Sequence, residues 1–233
     1  FAGYGLEDSF EAKVLGSVSA AQHIHLLAEK YGICVVLHTD HANKALIPWV
    51  EGLIHFSEKH FEKTGSPLFS SHMLDLSSED IGFNLSESKR LLKTMNPLGM
   101  SLEIELGVTG GEEDGVGSDD DIGADNPLLY TQPEDCLRAW EILSPIGHFS
   151  LAASFGNVHG VYKPGNVKLR PEILKNSQHL IQKIKEYQSD ERIRKTVPMS
   201  YPYGIYFTSD DLEFWIDQYQ LRHCAGHFEW SEK

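Results

Sequence analysis

Two histidines and five acids each stand just past a stretch that reads as a β-strand: Asp40 with His41, Asp75, Glu105 with Glu112 and Glu113, and His159. Catalytic zinc sites take three protein ligands from imidazoles and carboxylates and leave one position open, so His41 and His159 are the first candidate metal ligands. Glu112 and Glu113 lie among glycines in a loop long enough to fold over a cleft, and a partly desolvated glutamate in such a lid can act as a general base. Residues 156–166, GNVHGVYKPGN, offer backbone amides and Lys163 to an anion. That stretch matches neither a Walker loop nor a dinucleotide fingerprint, and no G-x-S-x-G nucleophile elbow is present. The acids at 119–121 lack the alternating spacing of a calcium loop and read as solvated surface.

Exits of this kind need strands before them and helices after them. Residues 33–37, ICVVL, form a continuous apolar run of the sort found in strands buried on both faces. Further strands are expected at 67–74, 100–106 and 149–155. Between them, helices are expected at 17–31 (with Ala20, Ile24, Leu27 and Tyr31 on one face), 45–63, within 78–95, from a Thr131–Glu134 capping box to about 143, and over 172–187. Strand, polar loop and helix repeated four times predict parallel strands with crossover helices, whose polar residues gather at the strand exits. The rhythm fails from 188 to 233, where one amphipathic helix near 210–221 is expected and no clear buried strand.

The chain has 233 residues and a net charge of −14, with 34 acids against 20 bases. No basic cluster interleaved with aromatics marks a nucleic-acid surface. No apolar run approaches the roughly 18 residues of a membrane span, and no signal pattern opens the sequence. Cys34, Cys136 and Cys224 are far apart and odd in number, which argues against a disulfide framework and makes the cytoplasm the expected location.

Five stretches together resemble the class II, metal-dependent fructose-bisphosphate aldolases: VVLHTDHANKALIPW, HFEKTGSPLFSSHMLDLS, LEIELGVTGGEEDG, LYTQPED and AASFGNVHGVYKPGNVKLRPEIL. The resemblance covers residues 16–178 and is to the fructose-type branch. It implies a single (β/α)8 TIM-barrel domain over 1–233, usually dimeric, that reversibly cleaves fructose 1,6-bisphosphate with zinc at the C-terminal mouth. By position, His41 and His159 match two zinc ligands, Glu105 a carboxylate that can hold the metal in an alternative position, and Asp75 an acid beside it. Asp40 matches the acid/base at the hydroxyl of the breaking bond, and Glu113 the base on the three-carbon ketone half. Gly160 falls in a loop that binds one phosphate and a monovalent cation.

The family also has an H-G-G-S-G strand end, which supplies a third zinc histidine and phosphate amides, and an N-I-D-T-D stretch. Neither has a counterpart here, and 203–215 is at best a remnant of the second. His223 and His227 are the remaining candidates for the third ligand, although they follow a helix and lack the glycines. The barrel is therefore expected to be incomplete before Phe1 and in its C-terminal third, at 233 residues against the roughly 250 of a typical barrel. The rival expectation is a non-catalytic, aldolase-like binding or assembly protein.

Overall fold

Alternating apolar and acidic residues in 101–106 and apolar stretches elsewhere form a parallel sheet flanked by helices. The computed structural model describes residues 9–108, 110–113, 116–117, 130–159, 168–187 and 199–200. Of 110–113, 116–117, 158–159, 184–187 and 199–200 it describes the backbone. All of these belong to one unit, Phe1–Pro202; a second, Tyr203–Lys233, lies outside the described residues, and with it the expected helix near 210–221.

The element order is α1 (Ser9–Tyr31), β1 (His38–Ala42), α2 (Ile47–Thr64), β2 (Ser71–Leu74), α3 (Ile81–Met95), β3 (Ser101–Leu106), β4 (Gly110–Glu113), β5 (Val116–Gly117), α4 (Pro133–Leu143), β6 (Phe149–Ala153), β7 (Val158–His159), α5 (Glu172–Tyr187) and β8 (Met199–Ser200). The main sheet runs β1-β2-β3-β6-β8 with every pairing parallel, and a smaller one runs β5-β4-β7. Strand β8, which the sequence reading missed, pairs Leu151 with Met199. Two residues are too few to show a hydrophobic period.

The helices start and stop for local reasons. Pro48 sits in the first turn of α2, where its missing N–H costs nothing, and Gly65 closes the helix in the left-handed conformation at φ 76°. Asp80 caps α3 by accepting from the backbone N–H groups of Gly82 and Phe83. Between sheet and helices lies the core, with Leu53, Leu74, Leu85, Leu92, Leu102 and Ile104 fully buried. Truncating any one to alanine costs about 2–5 kcal/mol. No helix of the described residues is long and apolar enough to cross a membrane.

Three local expectations are corrected. Helix α1 buries Ala12, Val18, Ala21 and Ala28, while Ile24, Leu27 and Tyr31 face outward. Small side chains let α1 approach α2 so closely that a Cβ at Gly52 would lie 2.7 Å from Val14 Cγ2. The first strand is displaced from 33–37 to β1: its backbone pairs with β2 from His38 onward, and Ile33 and Val36 are 58% and 69% exposed. Finally, Thr131 does not cap α4. Gln132 occupies the cap position without a side-chain bond, and the Thr131 hydroxyl is used at the strand exits.

Candidate metal centre

On a regular strand neighbouring side chains point to opposite faces, so Asp40 and His41 would be separated by the sheet. A bulge prevents this. Thr39 pairs with His72 and Ala42 with Leu74, so β1 spends one residue more than β2 over the same span. His41 takes up the extra length with φ 43°, left-handed for a non-glycine residue and strained by about 1 kcal/mol or more. As a result both side chains face the same site, with His41 Nε2 3.9 Å from Asp40 Oδ1.

The other ring nitrogen is fixed. His41 Nδ1–H donates to Asp75 Oδ2 at 3.1 Å, and Glu105 Oε2 lies 3.5 Å from the same nitrogen. Asp75 is held in turn by Ser77, whose N–H and hydroxyl both donate to Oδ1. Glu105 is buried at the end of β3, and Asn84 of α3 donates its amide to the Glu105 carbonyl at 2.9 Å. Strand period puts Glu103 on the same face, 3.6 Å from His38 Nε2, which explains two acids in one strand: both look toward histidines.

The ligand atoms of His41, Asp75 and Glu105 all lie within 4.8 Å of one another. An imidazole whose Nδ1–H is held by a carboxylate presents Nε2 as a metal donor in a fixed orientation. Imidazole with carboxylates is a donor set that suits a borderline divalent cation. The residues fit a metal.

Charge makes a proton the competitor for that place. The hydrogen bond to Asp75 outweighs burial and, with the charges of Glu105 and Asp40, pushes the His41 imidazole up to about 9. Burial alone would push the Asp75 carboxyl up, but the bonds from His41 and Ser77 hold it below the usual range. In the metal-free protein the raised His41 stabilises the fold fully below its ordinary value of 6.5, and that contribution disappears as pH climbs through about 9. The lowered Asp75 contributes above its ordinary 3.8 and is lost as pH falls through its lowered value. A cation held by His41 would have to displace its proton, so its affinity is expected to rise about tenfold per pH unit between 7 and 9. Competition with a chelator at pH 7, 8 and 9 measures this, and a flat profile would contradict it.

Beyond β3 the exits are clamped together. The Thr131 hydroxyl donates to the Leu106 carbonyl and accepts from Ser154 N–H, joining the ends of β3 and β6 to the start of α4. The loop after β6 is closed at its base: Arg170 N–H donates to the Phe155 carbonyl at 2.7 Å, and the Arg170 guanidinium lies 4.2 Å over the Tyr130 ring. Gly156 has φ 89°, and a Cβ there would come within 2.1 Å of the Lys168 carbonyl oxygen. Gly156→Ala is therefore expected to cost roughly 2–4 kcal/mol in a urea titration, because backbone must move. A loss below about 0.5 kcal/mol, the range of ordinary surface changes, would contradict that.

The structure thus brings Asp40, His41, Asp75 and Glu105 together. Glu113 and His159 are placed by backbone: β4 pairs with β7, Gly111 opposite His159, so Glu113 is two residues from the histidine's partner. Gly160, Lys163, His223 and His227 lie outside the described residues. Sequence reasoning missed the bulge, Ser77 and Asn84. The D-x-S spacing of Asp75 and Ser77 was the one available signal.

A parallel α/β sheet with a histidine–carboxylate cluster at its strand exits that could hold a metal defines the class as an α/β protein with a candidate metal centre. Comparison narrows the class: the family model for class-II fructose-bisphosphate aldolase matches residues 6–188, and the chain belongs to that family. The family is metal-dependent and its fold is a TIM barrel, of which the five-stranded parallel sheet is a part. A fructose-bisphosphate aldolase of Campylobacter jejuni is 48% identical over 231 residues, taking in 91% of this chain and 64% of the relative. The class 2 fructose-bisphosphate aldolase of Escherichia coli K12 is 56% identical over 173 residues, 74% of this chain and 47% of its own. The crystal structure of the Campylobacter jejuni fructose-bisphosphate aldolase superposes with a TM-score of 0.65 at 47% identity, covering 84% of this chain and 52% of that one. The chain spans about half to two thirds of the length of these relatives.

Proposed function

We propose that this chain carries out the reversible, metal-dependent cleavage of fructose 1,6-bisphosphate into dihydroxyacetone phosphate and glyceraldehyde 3-phosphate. The observation that carries the reading is the His41–Asp75–Glu105 cluster with Asp40 3.9 Å from His41 Nε2, set in a chain of this family. His41 and His159 are the imidazole donors to the cation, with Glu105 beside them and Asp75 orienting His41. When bound, the cation supplies a Lewis acid to the substrate carbonyl.

Asp40 removes the hydroxyl proton next to the bond that opens, so that this half leaves as the aldehyde, and returns it in the reverse direction. Glu113, on β4, delivers a proton to the carbon freed in the ketone half. Gly160, the neighbouring amides and Lys163 hold a phosphate, with a monovalent cation near Gly160. Zinc as the native metal, a single barrel domain, a homodimer and a cytoplasmic location belong to the same proposal and stand on the likeness to the family.

The test is turnover of fructose 1,6-bisphosphate by the purified chain, with both triose phosphates identified as products. No cleavage by metal-loaded protein would favour a binding or assembly role instead. Within the same reading, Glu113→Ala keeps the metal and slows exchange of the dihydroxyacetone phosphate proton with solvent by about 100-fold or more. Unchanged exchange would remove Glu113 from that step.

A further inference from the structure

His72 lies on the helix-facing side of β2 with no exposed surface, its ring 5.3 Å from that of Phe69. Its Nδ1 is hydrogen-bonded to Thr39 Oγ1 at 2.7 Å, and its Nε2 has no hydrogen-bond partner among the described residues. Burial, helped by the neighbouring His38, pushes the imidazole down to about 3, so the ring is neutral. In either tautomer one buried ring nitrogen has no partner among the described residues, a cost of about 1–3 kcal/mol that an apolar side chain in the same slot would not carry. Packing alone therefore does not explain an imidazole at this position.

The bulge in β1 does. Its extra residue lies between the pairs Thr39–His72 and Ala42–Leu74. Moving the bulge one residue earlier would keep the pairs His38–Ser71 and Ala42–Leu74, return His41 to ordinary strand geometry and relieve its left-handed strain. It would also turn Asp40 from the site to the helix-facing side. What that slip breaks is the register of Thr39 with His72, and with it the one polar contact His72 makes among the described residues.

We infer that His72, through its hydrogen bond to Thr39, is a positioning residue that locks the β1 bulge in the register presenting Asp40 and His41 together. For its kinetic consequence this inference rests on the proposed aldol cleavage; for its structural consequence it does not. The bond sits directly before the two side chains it aims, and it joins residues 33 apart in the chain, so it fixes register between strands and not merely local geometry.

The experiment compares Thr39→Val, Thr39→Ser, His72→Asn and His72→Phe in the metal-loaded chain, by steady-state kinetics and by the His41 13Cα chemical shift in nuclear magnetic resonance. That shift separates left-handed from strand backbone and needs no substrate. Thr39→Val and His72→Phe are expected to move the His41 shift toward strand values. In both, kcat falls 10- to 100-fold while KM stays within about twofold. Thr39→Ser keeps the hydroxyl, and His72→Asn places an amide near the Nδ1 position, so both retain most of the parent's shift and rate.

A folded Thr39→Val protein with the parent's shift and kcat overturns the inference, as does His72→Asn behaving no better than His72→Phe. If Thr39→Val does not fold, the contrast between the two His72 variants decides. If the parent chain cleaves no sugar bisphosphate, the functional reading fails by itself and the chemical shift alone judges the bulge.

Discussion

In the proposed reaction, His41→Ala is expected to bind zinc more than about 100-fold more weakly than the parent chain and to lose measurable cleavage of fructose 1,6-bisphosphate. The size follows from the geometry. Residues that merely orient a metal ligand are worth about 10–100-fold in affinity, and His41 is the proposed ligand itself, its Nδ1 held by Asp75 at 3.1 Å and its Nε2 3.9 Å from Asp40. Removing the imidazole also leaves Asp75 and the buried Glu105 facing each other without a cation between them, so the metal-free variant is destabilised as well.

Strain at φ 43° complicates an alanine there, since alanine tolerates the left-handed region poorly. His41→Asn resolves the two effects. Asparagine adopts that backbone readily and supplies no imidazole, so it is expected to fold like the parent and to bind zinc as weakly as His41→Ala. Chelator competition on both variants measures this. Parent-like zinc affinity in either would remove His41 from the metal centre.

Asp40→Asn separates chemistry from metal binding. The Asp40 carboxylate lies 3.9 Å from His41 Nε2 and 4.0 Å from His38 Nε2, close enough to reach a substrate hydroxyl at the same centre. The amide keeps the shape of the carboxylate and cannot take a proton, so in the proposed reaction kcat is expected to fall by about 10²–10⁴. KM and zinc affinity stay within a few-fold, because neither the His41–Asp75 bond nor Glu105 is touched. A variant with kcat within tenfold of the parent would take Asp40 out of the proton transfer. One that loses zinc along with turnover would make Asp40 part of the metal's support instead.

Much of this site was legible because chemistry at strand exits shows in the residue types. Asp40, His41, Asp75 and Glu105 stand directly after apolar or alternating stretches, and the structure converges them. What was not legible depends on pairing across the sheet. HTDH read alone puts Asp40 and His41 on opposite faces; only the register of β1 against β2 reveals the bulge that joins them.

The same holds for the run at 33–37, whose composition suits a buried strand, although it lies before the pairing with β2 and is largely exposed. On α1 the largest apolar side chains suggested the buried face. The helix instead buries alanines and a valine, because close approach to α2 selects small residues. Thr131 read as a capping residue from its spacing to Glu134, yet its hydroxyl joins Leu106 to Ser154, two strand ends that lie far from it in sequence.

The most direct test of the account is a zinc titration of chelated protein, with bound metal and cleavage of fructose 1,6-bisphosphate followed in the same samples. No cleavage is expected after chelation, and the rate is expected to rise in proportion to bound zinc up to about one equivalent per chain. Cleavage that survives complete removal of metal, or zinc that binds tightly and restores none, would contradict it.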